Sequence, residues 1–211
     1  MKKRILSIFL CLVMVFSLLP FTASAASAVP INEETFPDPV FREYVLKIVG
    51  SSVLTEEKAQ QIEVLDVSDD NIKEVLGDRD PITSLMGIRY LRYVKDLNCS
   101  GQELKKTLNL EQNSRVEKLN CSGNQLTGLW FHKGSSLKYL TCSVNEFTAL
   151  DLSKCSELIE LSCGSNKLTS LDLSANTKLQ KISAGSNKLT ALDTRNLPEL
   201  TYLNLWGNHD L

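Results

Sequence analysis

The stretch Leu137–Leu173, LKYLTCSVNEFTALDLSKCSELIELSCGSNKLTSLDL, decides the architecture of this chain. Its first eleven residues have the form Leu-x-x-Leu-x-Cys-x-x-Asn-x-Leu/Phe, and that form returns 21 positions later, at Leu158. A fixed internal period of this length marks a chain made of stacked units, so it is read before any local propensity. Toward the C-terminus the form continues as Leu179-x-x-Ile182-x-Ala184 with Asn187 and Leu200-x-x-Leu203-x-Leu205 with Asn208. Toward the N-terminus it continues as Val116-x-x-Leu119-x-Cys121 with Asn124, Val94-x-x-Leu97-x-Cys99 with Gln102, and Ile62-x-x-Leu65-x-Val67 with Asp70. Seven units result.

Their starts are 32, 22, 21, 21, 21 and 21 residues apart. The long first gap is expected to hold an insertion near residues 73–82, centred on Gly77-Asp78-Arg79-Asp80-Pro81, and a charged insertion with Gly and Pro reads as a surface loop. Within a unit, Leu-x-Cys alternates inward and outward as a strand does. Stacking units at one strand spacing, about 4.8 Å, then gives a parallel sheet. The asparagine bends the chain, its short amide satisfying backbone groups that a buried turn would strand. The return legs repeat the apolar pair at Leu108 and Leu110, Leu129 and Phe131, Leu150 and Leu152, and Leu171 and Leu173, weakening to Leu192 and Thr194. The short connection to the next strand predicts an extended or briefly turned outer leg. A single unit cannot bury enough to offset the entropy of ordering it, so stability belongs to the array.

These residues resemble the leucine-rich-repeat family, and within it the secreted bacterial, internalin-like group whose 21-residue repeats carry a cysteine in place of a core leucine. The resemblance covers residues 62–211. It implies an α/β solenoid, a right-handed superhelix with a parallel concave sheet, mostly extended outer legs and a helical N-terminal cap over residues 29–61. The residues support that cap: Phe41, Tyr44, Val45 and Ile48 are spaced for one helix face between a proline start at Pro37 and a stop at Gly50. Thr55 stands as the N-cap of a second short helix ending near Gln61. Some relatives carry a calcium loop in the cap; Gly50-Ser51-Ser52-Val53-Leu54 has no carboxylate, so no calcium is expected.

Cys99, Cys121, Cys142 and Cys163 recur at one place in the repeat, which predicts a ladder of buried thiols with Asn124, Asn145, Asn166, Asn187 and Asn208 beside it. In-register strands hold neighbouring Cβ atoms parallel, whereas a disulfide needs them turned toward each other. A metal site would need ligands that His132 and His209, outside the column, do not supply. Cys155 stands apart on the outer connection, where it is expected to be partly exposed, either as an ordinary cysteine or as a reactive or bridging thiol.

The family resemblance places partner binding on the concave face. Its varied outward column reads Val64, Asp96, Lys118, Tyr139, Glu160, Lys181, Tyr202. The next reads Asp66, Asn98, Asn120, Thr141, Ser162, Ser183, Asn204, and the last Ser68, Ser100, Ser122, Ser143, Gly164, Gly185, Trp206. The small polar residues read first as filler on a solvated sheet, while Tyr139, Tyr202 and Trp206 offer rigid aromatic surface. The candidate binding face is therefore Asp96, Lys118, Tyr139, Glu160, Lys181, Tyr202 and Trp206. Trp130 should point outward, in the column of Asp151, Asp172 and Asp193. Those carboxylates form a same-sign outer column without a cleft or a base, and no nucleophile motif, phosphate loop or metal cluster accompanies them, so neither a catalytic site nor a cofactor is expected.

Residues 1–28 read as a secretory signal peptide: Lys2, Lys3 and Arg4, an apolar run from Ile5 to Leu19, then small residues at Ala23-Ser24-Ala25 and Ala26-Ser27-Ala28. Three of the 23 basic residues lie in that leader, leaving 20 against 25 acidic ones. This balance argues against nucleic-acid or anionic-membrane partners. The expectation is a secreted, non-catalytic binding module that recognises a protein or glycan at a cell surface. The alternative is a self-associating structural surface protein that pairs through its uncapped last repeat.

Overall fold

The structure, a computed structural model, describes residues 28–211; apart from Ala28, the expected signal peptide lies outside the described residues. Each Leu-x-Cys segment forms a three-residue strand: β3 (Val64–Asp66), β4 (Asp96–Asn98), β6 (Lys118–Asn120), β8 (Tyr139–Thr141), β9 (Glu160–Ser162), β10 (Lys181–Ser183) and β11 (Tyr202–Asn204). They stack in chain order as one seven-stranded parallel sheet. Register holds without slippage from Leu119 to Leu140, Leu161, Ile182 and Leu203, so a column of letters in the sequence is a column of side chains in space. The core is a spine of leucines running the length of the array.

Behind the sheet Cys99, Cys121, Cys142 and Cys163 are fully buried free thiols, with Val67 and Ala184 continuing the column at its two ends. Burial disfavours the thiolate, pushing Cys163 up to about 12 and Cys99, Cys121 and Cys142 well above the ordinary value. The folded chain therefore keeps protons that the unfolded chain releases above about pH 9, and stability falls as pH rises through that range. We expect the urea midpoint to drop between about pH 9 and 11. Ellman's reagent at about pH 8 should label no described cysteine in the folded protein, and all of them in guanidinium. A native thiol titrating near 9 would contradict the burial.

The asparagines form a second ladder. Asn145 Nδ2 donates to the carbonyls of Cys121 (2.9 Å), Cys142 (3.2 Å) and Ser143 (3.3 Å), while its Oδ1 accepts from Leu126 N (2.9 Å). Asn124, Asn166 and Asn187 repeat the arrangement. Gln102 does the same work in its unit, reaching Val67 O and accepting from Ile82 N. Asp70 does not: it is exposed, and Asn71 Nδ2 reaches Asp66 O instead.

On the convex side the outer legs are extended strands only in two units. There β5 (Lys105–Leu110) and β7 (Gln125–Phe131) pair in parallel, with a bulge at Lys106, whose φ is 63°. The later legs run as turns. Cys155, expected to be partly exposed, is fully buried. It belongs to a further inward column formed by Asn113, Ser135, Cys155, Asn176 and Leu197, all buried where each leg turns back toward the sheet. Asn176 Nδ2 donates to Leu152 O and Cys155 O, and Asn113 Nδ2 to Ile88 O and Leu91 O. Desolvation raises the Cys155 thiol to about 11, which removes the case for a reactive or bridging cysteine.

Before the array lie β1 (Val29–Pro30), which pairs with β2 (Val53–Leu54), and helices α1 (Pro39–Val49) and α2 (Glu56–Gln60). Helix α1 starts at Pro39, two residues later than Pro37 suggested. Asp38 caps it by accepting from Val40 N and Phe41 N, and Gly50 ends it in the left-handed region at φ 64°. Thr55 caps α2 as its position predicts. The insertion is not simply a loop: helix α3 (Asp69–Leu76) occupies its start and buries Ile72, leaving Gly77–Asp80 exposed and Ile82 back in the core. Among the described residues no helix is long and apolar enough to cross a membrane.

Candidate functional site

The concave face is built from the residues that β-strand alternation turns away from the core. In the varied column, Lys118 lies 3.4 Å from Asp96, and Lys181 lies 2.7 Å from Glu160. Each pair joins adjacent strands. The flanking column continues the pattern, with Lys95 on Glu63 at 2.8 Å and Lys138 on Glu117 at 2.7 Å. The bond to Glu160 raises the Lys181 ammonium, and the bond to Lys138 lowers the Glu117 carboxyl. These exposed pairs add little stability. Their effect is on the field: opposite charges one strand apart cancel, and the face attracts neither sign at a distance.

What stays uncommitted on the C-terminal half of the face is aromatic. Tyr139 is 39% exposed, Tyr202 51% and Trp206 81%. Tyr139 stands on β8 and Tyr202 on β11, three strand spacings or about 14 Å apart. Between them the sheet is floored by Ser162 and Ser183 and crossed by the Glu160–Lys181 pair. Of the seven residues expected on the binding face, the structure thus brings Tyr139, Glu160, Lys181, Tyr202 and Trp206 onto its C-terminal half. Asp96 and Lys118 pair with each other farther along the sheet.

The small polar columns are not inert filler. Asp66, Asn98, Asn120 and Asn204 each accept a hydrogen bond from the backbone N–H two residues on, fixing the turn that ends the strand. Gly185 is set by crowding, since a Cβ there would lie 2.8 Å from Trp206 O. The same logic holds outside the sheet. Asp151, Asp172 and Asp193 are exposed and each accepts from the backbone N–H two residues on, closing a turn; the Arg195 side chain holds Asp193 down to about 2. Trp130 points outward as expected. Among the described residues no group of His, Cys, Asp and Glu is arranged to hold a metal.

No family model and no curated protein matches the chain. Solved structures do. A functional domain of InlJ from Listeria monocytogenes that includes a cysteine ladder superposes with a TM-score of 0.55 at 24% identity, over 87% of this chain and 48% of that one. Internalin C2 from the same organism gives 0.51 at 21% identity, over 87% and 90%. A leucine-rich-repeat protein of Leptospira interrogans gives 0.51 at 20%, over 70% and 44%. This is a leucine-rich-repeat fold. The chain spans about half the length of the InlJ domain and of the Leptospira protein. Its leucine-rich repeats are internalin-like in their 21-residue length and in their buried cysteine column.

Proposed function

We propose that this protein is a secreted, non-catalytic binding module that recognises a protein or glycan at a cell surface through the C-terminal half of its concave face. The observation that supports this reading most is the mutual cancellation of charges on the face, which leaves Tyr139, Tyr202 and Trp206 as its free contact surface. Rigid amphipathic rings over a small polar floor suit a sugar ring or a peptide turn. In this reading α1 and α2 serve as the N-terminal cap of the first repeat, and residues 1–28 direct secretion.

The test is a glycan array together with a surface-protein pull-down, using residues 29–211 as bait. Tyr139→Ala combined with Tyr202→Ala is expected to weaken any recovered ligand at least ~10-fold, since truncating an interface anchor costs roughly 2 kcal/mol or more. Both side chains are exposed, so the melting temperature should hold. Unchanged affinity would move the site off this face.

A further inference from the structure

The two-stranded convex sheet has an open edge at the bottom of a groove. In each later unit the outer leg bonds back to the one before it: Gln125 N to Leu104 O, Glu146 N to Leu126 O and Lys167 N to Phe147 O. With Glu103 N on Ile82 O at 3.1 Å, the leg of the second unit begins the same way on that of the first. Then the first unit's chain leaves. The buried Asp38 carboxylate caps α1 with one oxygen, and with the other accepts from Thr83 N (2.8 Å), Thr83 Oγ1 (3.0 Å) and Ser84 N (3.2 Å). Gly87, at φ 108°, lies so close to Phe36 that a Cβ would stand 2.5 Å from the ring. Both contacts draw residues 83–87 toward the N-terminal helices and away from β5.

A groove of about 410 Å³ opens where the legs part. Leu85, Leu104 and Leu108 line it, and Met86, 60% exposed, stands in its wall. Among the described residues no backbone hydrogen bond joins 83–91 to β5. Outward-facing residues of the legs donate backward, so strand alternation aims the N–H groups of Thr107 and Asn109 into this groove. Its charge is positive. Arg89 supplies the excess, resting on the Tyr90 ring and pairing with no carboxylate among the described residues, while Lys105 is offset by Glu103, 3.7 Å away. Glu111, also in the lining, is offset by Lys154 at 3.7 Å.

We propose that this groove receives an extended, acidic peptide segment of a partner protein, which adds to β5 as a third strand. The backbone edge supplies the hydrogen bonds, Met86 the exposed apolar contact, and Arg89 the preference for a carboxylate. A second copy of this chain fits poorly, because a two-fold contact along β5 would set Arg89, which has no carboxylate partner among the described residues, against its own equivalent.

The test selects random short peptides displayed on phage against residues 29–211. Selected peptides are expected to be rich in Asp and Glu, to slow deuterium exchange at the Thr107 and Asn109 amides, and to lose at least ~10-fold in affinity when N-methylated at alternate residues. The same loss is expected with Asn109→Pro, which removes one N–H where an edge strand tolerates proline. Met86→Glu leaves the backbone intact and should match it, covering the case in which the proline variant misfolds. Tyr139→Ala with Tyr202→Ala should bind these peptides unchanged, which separates this groove from the concave face. The proposal falls if no peptide is enriched, if binding ignores N-methylation, or if the protein forms a dimer that Asn109→Pro abolishes.

Discussion

Asn145→Ala is expected to lower the unfolding free energy by about 1–3 kcal/mol, more than its small change in volume suggests. The alanine leaves Leu126 N without its acceptor, while the carbonyls of Cys121, Cys142 and Ser143 each lose one donor and keep another, Asn124 Nδ2, Asn166 Nδ2 and Gly123 N in turn. A buried group left unpaired costs roughly 1–3 kcal/mol, and Leu126 N is the group this substitution strands. Asn145→Asp should be nearly as harmful, since it restores the acceptor but sets a carboxylate against carbonyl oxygens. Urea denaturation followed by circular dichroism measures both. Asn208→Ala is the control, because Asn208 is only partly buried and should cost less. Equal losses at the two positions would mean that the ladder does not carry the stability assigned to it.

Phe147→Ala is expected to cost about 3–5 kcal/mol, the range for emptying a fully packed aromatic site. Its column otherwise holds Leu126, Leu168 and Leu189, so Phe147→Leu matches what neighbouring units already pack and should cost only about 1 kcal/mol. The alanine has a second expected effect. Units in such an array touch only their neighbours, so a cavity between β8 and β9 weakens the coupling of the two halves. A lower denaturant slope or a split transition should accompany the loss. One unbroken transition with the wild-type slope would show that the array couples over longer distances than nearest neighbours.

The fold was legible because repetition tests itself: a leucine or isoleucine at one place in seven units cannot be an accident of composition. The limits have physical causes. Cys155 was misplaced because its column is chemically mixed, Asn, Ser, Cys, Asn and Leu in turn, and its spacings of 22, 20, 21 and 21 residues waver, so no single residue type announces it. Helix α3 hid inside an insertion judged by its Gly and Pro, while Ile72, Val75 and Leu76 already had helical spacing. The aromatic residues of the concave face could be named from register alone. The cancellation of charge around them could not, since it depends on which side chains reach across a strand spacing. The groove beside β5 was out of reach, for it is opened by Asp38 bonding to a segment 45 residues away.

The asparagine ladder also has a direction. Asn145 bonds the carbonyl of Cys121 and the amide of Leu126, and Asn208 bonds those of Ala184 and Leu189, always in the unit before. Each turn is therefore sealed by its successor. A chain emerging N-terminus first would close one turn at a time, every newly made unit locking the last and standing open itself. Shortening the protein from its C-terminal end should undo one seal per unit removed, while removal of the first units leaves the asparagine of the next one reaching back into solvent.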